Sequence, residues 1–186
     1  MKNFFQFLLI IFGVVSNAQI DKSSCPTKLS IFAEFAKVKN YDSAYNPWFE
    51  IRSTCPELNV ATFIYGERIL KFKIKKASDS EKLIFQSDLL TLYDDWLKYF
   101  PSNKRGVNEL GKILSSKAQA MVDYNLGNKS EVYKLFNQAF TENPKSFTSP
   151  KRLYTFFKTA YQLYKIGEKS TEDLFTKYEE VSEKFE

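Results

Sequence analysis

The sequence predicts an all-α chain of about four antiparallel helix hairpins, laid side by side as an α-solenoid. Three observations predict it. Apolar residues recur at spacings of three and four in one segment after another, the period of a helix with one buried face. Only 6 Gly and 6 Pro interrupt 186 residues that are 17% aromatic, a balance suited to long helices rather than to a turn-rich β-sandwich. An X-Pro stop also returns at Cys55-Pro56, Phe100-Pro101 and Asn143-Pro144, at intervals of 45 and 43 residues. That interval fits a two-helix unit repeated along the chain.

Residues 1–18 read as a secretory signal peptide. Lys2 gives a positive start, Phe4 to Val15 is almost unbroken apolar sequence, and Ser16-Asn17-Ala18 offers small residues for cleavage before Gln19. The run is shorter than the about 20 apolar residues that span a bilayer, and an uncleaved N-terminal anchor is the alternative. The expected product is secreted or periplasmic. Residues 19–26 then form a short N-terminal segment and 27–186 the helical domain.

Pro26 to Asn40 carries Leu29, Phe32, Ala33 and Ala36 on one stripe, with Pro26 in the first turn, where its missing N–H costs little. A tight turn at Asn40–Asp42 follows, with Asp42 as the expected cap of a second helix burying Ala44, Trp48 and Ile51. Pro47 should kink that helix early or delay its start. In an antiparallel hairpin Cys25 and Cys55 fall at the same end. They are the only cysteines, and an exported chain meets an oxidising compartment, so a Cys25–Cys55 disulfide is expected. Two separate buried thiols are the alternative.

Leu58 to Lys76 reads as a third helix with Ala61, Tyr65, Ile69 and Phe72 inward. Its Arg68, Lys71, Lys73, Lys75 and Lys76 read first as a solvated face and second as a contact for an acidic partner. Ser78-Asp79-Ser80 caps a fourth helix that ends at Phe100-Pro101. Val107 to Leu126 makes a fifth, closed by Gly127 in left-handed space. Ser130 to Glu142 makes a sixth. A seventh helix through Leu153, Phe156, Ala160 and Leu163 stops near Gly167. The last has Leu174, Tyr178, Val181 and Phe185 on one stripe, with Lys177, Glu179, Glu180 and Glu183 behind.

The chemistry-bearing patterns are absent. The chain has no His, which removes the commonest general base and the commonest metal ligand. There is no Gly-rich phosphate loop, no Cys-x-x-Cys and no Gly-x-Ser-x-Gly elbow. Asp94-Asp95 point about 100° apart on a helix and read as a solvated pair. Asn128-Lys129-Ser130 fits a glycosylation acceptor but reads better as an inter-helix turn. No catalytic residue, cofactor or metal ligand is predicted, and the chain is not expected to be an enzyme. The net charge of +5 is a mild excess, too scattered to argue for nucleic acid.

Lys39-Asn40-Tyr41-Asp42-Ser43-Ala44, the closing Pro56, Tyr65-Gly66 with Ile69, and Gly127 to Pro144 around Phe136 and Ala139 resemble pieces of the tetratricopeptide repeat. The middle helices are longer than its unit of about 34 residues allows, and Leu89 and Trp96 stand where it prefers small residues. A HEAT-like or irregular array is therefore the alternative. The resemblance implies a right-handed solenoid that binds protein or peptide on a concave face made by the first helix of each pair. Tyr65, Arg68, Tyr161 and Tyr164 are the candidate partner-binding residues. The functional expectation is an exported scaffold for protein or peptide binding in the bacterial envelope. The alternative is a small-ligand or glycan module using aromatic groove residues.

Overall fold

The computed structural model describes residues 22–185, so the predicted signal peptide and its cleavage site lie outside the described residues. Those described form eight helices: α1 (Cys25–Lys37), α2 (Tyr41–Thr54), α3 (Ala61–Lys76), α4 (Asp79–Tyr99), α5 (Leu110–Tyr124), α6 (Lys129–Glu142), α7 (Pro150–Lys165) and α8 (Thr171–Ser182). The one β-type pairing among them is an isolated bridge between Ser102 and Asn108. No described helix is long and apolar enough to cross a membrane. Each helix packs on the next in sequence. Beyond that, the backbones of α1 and α3 and of α5 and α7 also come close, and side chains link α2 to α4 and α6 to α8.

The even-numbered helices start and stop alike. Asn40 accepts from the Ser43 N–H at 3.3 Å, Asn128 from the Glu131 N–H at 2.9 Å, and Ser170 Oγ from the Asp173 N–H at 3.0 Å. The Ser78 N–H donates to Glu81 at 3.1 Å in a reciprocal cap. At the other end, α2, α4 and α6 close on Cys55 (φ −140°, ψ 51°), Phe100 (φ −138°, ψ 64°) and Asn143 (φ −146°, ψ 67°). Each of these precedes a proline, whose ring disfavours helical backbone in the residue before it. One local rule thus ends three helices in one conformation.

The core runs in two stretches. One gathers Phe32, Trp48, Phe63 and Leu92 from α1–α4, and the other gathers Phe136, Phe147, Phe156 and Val181 with α5. Leu90 and Leu97 touch both and make them continuous. Leu89 and Trp96 are buried, Trp96 with its ring 6.1 Å from Phe63. Two glycines mark close approaches. A Cβ on Gly66 would fall 2.6 Å from Trp48 Nε1, and one on Gly111 only 2.2 Å from the Asn143 carbonyl oxygen. The expected disulfide is present: Cys25 and Cys55 are bonded at 2.06 Å across the open end of the first hairpin.

Several expectations are corrected. Asn40, not Asp42, caps α2; Asp42 lies in the first turn and pairs with Lys76 at 3.1 Å. Pro47 lies inside α2, which starts six residues before it at Tyr41, so it does not delay the helix. The third helix starts at Ala61 and the fifth at Leu110, because Asn59 and Asn108 each accept a hydrogen bond from the N–H two residues on and hold the preceding turns. α5 ends earlier than expected, at the left-handed Asn125 (φ 61°), and Gly127 takes the left-handed conformation expected of it at φ 67°. In α8 the buried positions are Lys177 and Val181, while Tyr178 and Phe185 are exposed. Lys177 is tolerated there because its ammonium lies 5.0 Å from the Phe156 ring and donates to Asn137 at 3.2 Å and to Glu180. Asp95 is not simply solvated. With Asp88 it grips Arg52, at 3.0 and 2.5 Å, tying α4 to α2.

Candidate functional site

The odd-numbered helices turn a polar stripe to one side. On α5 it is Lys112, Ser116, Gln119 and Asp123, spaced four, three and four apart. Glu67 and Lys71 of α3 and Lys151 and Arg152 of α7 meet this stripe around a cleft of about 270 Å³. The cleft continues along α7 into a second of about 520 Å³, lined by Tyr154, Lys158 and Gln162. Gln119, Asp123 and Lys151 belong to both. In the other direction Lys112 also lines a recess of about 620 Å³ beside the 101–109 loop. The three make one groove across α3, α5 and α7.

Its floor is organised by a buried polar network. Arg152 Nη1 donates to the Lys112 carbonyl at 2.7 Å, to Ser116 Oγ at 2.5 Å and to Ser115 Oγ at 3.0 Å. No carboxylate among the described residues pairs with it. Burial lowers its pKa, opposed by the fields of Glu67 and Tyr93. Tyr93 donates its hydroxyl to Glu67 at 3.0 Å, and burial first, then the Glu67 charge, raises the phenol well above its usual range. It is therefore always a neutral donor.

Two polar atoms in the floor lack partners. Gln119 donates its Nε2 to Asp123 at 2.8 Å, which fixes the amide and leaves Oε1 without a donor. Trp96 Nε1 is a buried donor without an acceptor. Both side chains line the 270 Å³ cleft, and they are only 8% and 4% exposed. An orphaned buried polar atom costs about 1 to 3 kcal/mol, and Thr62 Oγ1 is a third such atom among the described residues, outside the groove.

The groove is also where the basic excess collects. Nine of the chain's 27 Lys and Arg line it, against three of its 22 Asp and Glu. Lys71, Lys112 and Lys151 are ion-paired, to Glu67, Glu109 and Asp123. Arg68, Lys104, Arg105, Lys129, Arg152 and Lys158 have no carboxylate partner among the described residues. Elsewhere on α3, Lys73 and Lys76 are held by Asp42, the ordinary solvated arrangement expected of that helix.

Of the residues singled out from sequence, Tyr65 and Arg68 sit together on α3, the guanidinium 5.3 Å from the ring, and line a narrow extension of the groove. Tyr161 and Tyr164 face each other on α7 at 6.4 Å, half exposed, outside the residues lining the clefts. α3 and α7 make no contact, so the two pairs remain apart. Gln119, Arg152 and Trp96 were not anticipated. A search for apolar periodicity passes over the polar stripe on α5, although its helical spacing is visible in the sequence. Among the described residues, no group of three or more His, Cys, Asp or Glu is placed to hold a metal ion. Set against models of protein families, curated proteins and solved structures, the chain finds no match in any of the three.

Proposed function

We propose that this chain is an exported, tetratricopeptide-like right-handed solenoid of four hairpins, a scaffold that binds a protein or peptide segment in the groove of α3, α5 and α7. The observation that carries the reading is the groove wall, where Arg68, Lys104, Arg105, Lys129, Arg152 and Lys158 have no carboxylate partner among the described residues. Export is supported by the disulfide, which persists in oxidising compartments, and by the N-terminal sequence pattern.

The test is site-directed photo-cross-linking in the native envelope. A benzophenone amino acid at Tyr154, which is exposed and lines the groove, is compared with one at Ile84, exposed on α4. Cross-linked peptides mapping to one partner protein from Tyr154 and not from Ile84 support the reading. Adducts that carry only glycan, or equal capture at both positions, overturn it.

A further inference from the structure

The recess at the α3 end of the groove differs in kind from the polar cleft beside it. Its floor is Leu58, Val60, Ile64 and Phe100, and its rim carries Lys104 and Arg105. The rim is held by its own loop. Asn103 Oδ1 accepts from the Arg105 N–H at 2.9 Å and the Val107 N–H at 3.2 Å, and the Glu109 N–H donates to the Pro101 carbonyl at 2.8 Å. The 101–109 segment is therefore an internally bonded turn that holds two exposed cations over an apolar floor. Arg68 adds a third cation from α3. These three have no carboxylate partner among the described residues, whereas Lys112 on the same rim is neutralised by Glu109 at 2.7 Å.

We propose that this recess seats an apolar side chain of an acidic peptide segment, whose flanking carboxylates meet Lys104, Arg105 and Arg68. This rests on the peptide-binding reading above and adds the chemical class of the peptide. Charge complementarity argues for the acid, since unpaired cations at a preorganised rim steer and hold an anionic partner. The floor argues for a Leu-, Ile- or Phe-sized anchor, since apolar surface set beside a polar cleft specifies where along a segment the anchor falls. The floor is aliphatic with a single Phe, rather than the broad aromatic face on which a sugar ring stacks.

The experiment is selection of a phage-displayed random dodecapeptide library on the intact protein, and then anisotropy with a labelled selected peptide. Enriched peptides should combine Asp and Glu with one apolar residue. Replacing that residue by Ser should weaken binding at least about tenfold. Lys104→Glu with Arg105→Glu, both exposed and checked for native circular dichroism, should weaken it at least about fivefold, an effect that shrinks as salt is raised. Selected peptides that still cross-link to the Tyr154 position but are neutral or basic, or ignore the charge reversals, overturn this inference and leave the groove reading standing. If no peptide is enriched and polygalacturonate binds instead, both fail.

Discussion

Replacing Gly66 by Ala sets two opposing effects against each other within one helix. In the interior of a helix Ala is favoured over Gly by about 1 kcal/mol, so propensity alone predicts a more stable protein. Packing predicts the reverse. The new Cβ would lie 2.6, 2.8 and 2.9 Å from three atoms of the Trp48 indole, closer than real Cβ contacts come. The ring has little room to retreat. It is fully buried, its Nε1 donates to the Thr62 carbonyl at 2.7 Å, and Tyr45 and Arg52 close on it at 5.8 and 5.6 Å. Overpacking costs about 1 to 3 kcal/mol, and displacing the indole from a buried carbonyl about 1 to 3 more. After the propensity gain, the expected net loss is about 1 to 5 kcal/mol. Urea unfolding followed by far-ultraviolet circular dichroism measures it, with an unchanged slope as the check that the same surface is exposed. In the Trp48→Phe background the cost of Gly66→Ala should fall, because the smaller ring lacks the clashing nitrogen. A Gly66→Ala protein as stable as the parent or more stable would refute the claim that α2 and α3 are in contact through this indole.

Three further outcomes follow from the same structure. Cys25→Ala with Cys55→Ala opens a crosslink between residues 30 apart; it should cost about 3 to 4 kcal/mol and lower Tm by about 10 °C, and a Tm insensitive to reductant would contradict this. Arg52→Met strands Asp88 and Asp95 against a side chain that was only 8% exposed; the loss should be about 3 kcal/mol by urea titration, and Asp88→Asn with Asp95→Asn should restore most of it. Acid should fray the caps: the Ser78 hydroxyl bonded to Glu81 and the Ser170 N–H bonded to Asp173 lower both carboxyl pKa values. A depressed pKa means stability present above the unfolded value and lost as pH falls through the folded one, so Tm should begin to drop near pH 4.5 and continue downward, and Glu81→Gln with Asp173→Asn should flatten that limb.

The helices were legible because their signals are local. Three-and-four spacing of Phe, Leu and Trp sets the helices, and the X-Pro stops set their ends. Ser78 with Glu81 is a cap written in four residues. The disulfide followed from hairpin geometry together with compartment. What escaped depends on partners distant in sequence. Lys177 sits on the back of α8 by hydropathy, yet Phe140 and Phe156, more than twenty residues earlier, make its position an aromatic shelf. Asp95 looks like a surface acid until Arg52 arrives from another hairpin. Boundaries moved where Asn59 and Asn108 capture backbone N–H groups that would otherwise have opened a helix. The groove was illegible for the same reason: Lys104, Lys112 and Arg152 lie far apart in the chain, and only stacking brings them to one wall.

That separation explains how a net charge of +5 can be weak evidence on the sequence and strong evidence in three dimensions. Away from the groove, some cations hold helices together: Lys28 to Glu50 joins α1 to α2, Arg52 to Asp88 joins α2 to α4, and Lys73 to Asp42 joins α3 to α2. With nine cations and three acids assigned to the groove, the rest of the chain keeps 18 basic and 19 acidic residues. A basic excess left over at random would be spread over every helix and would oppose folding everywhere by a little. Here nine cations line one wall, three of them ion-paired and six without a carboxylate partner among the described residues. On the reading proposed above, a segment that brings negative charge to that wall offsets the repulsion among them.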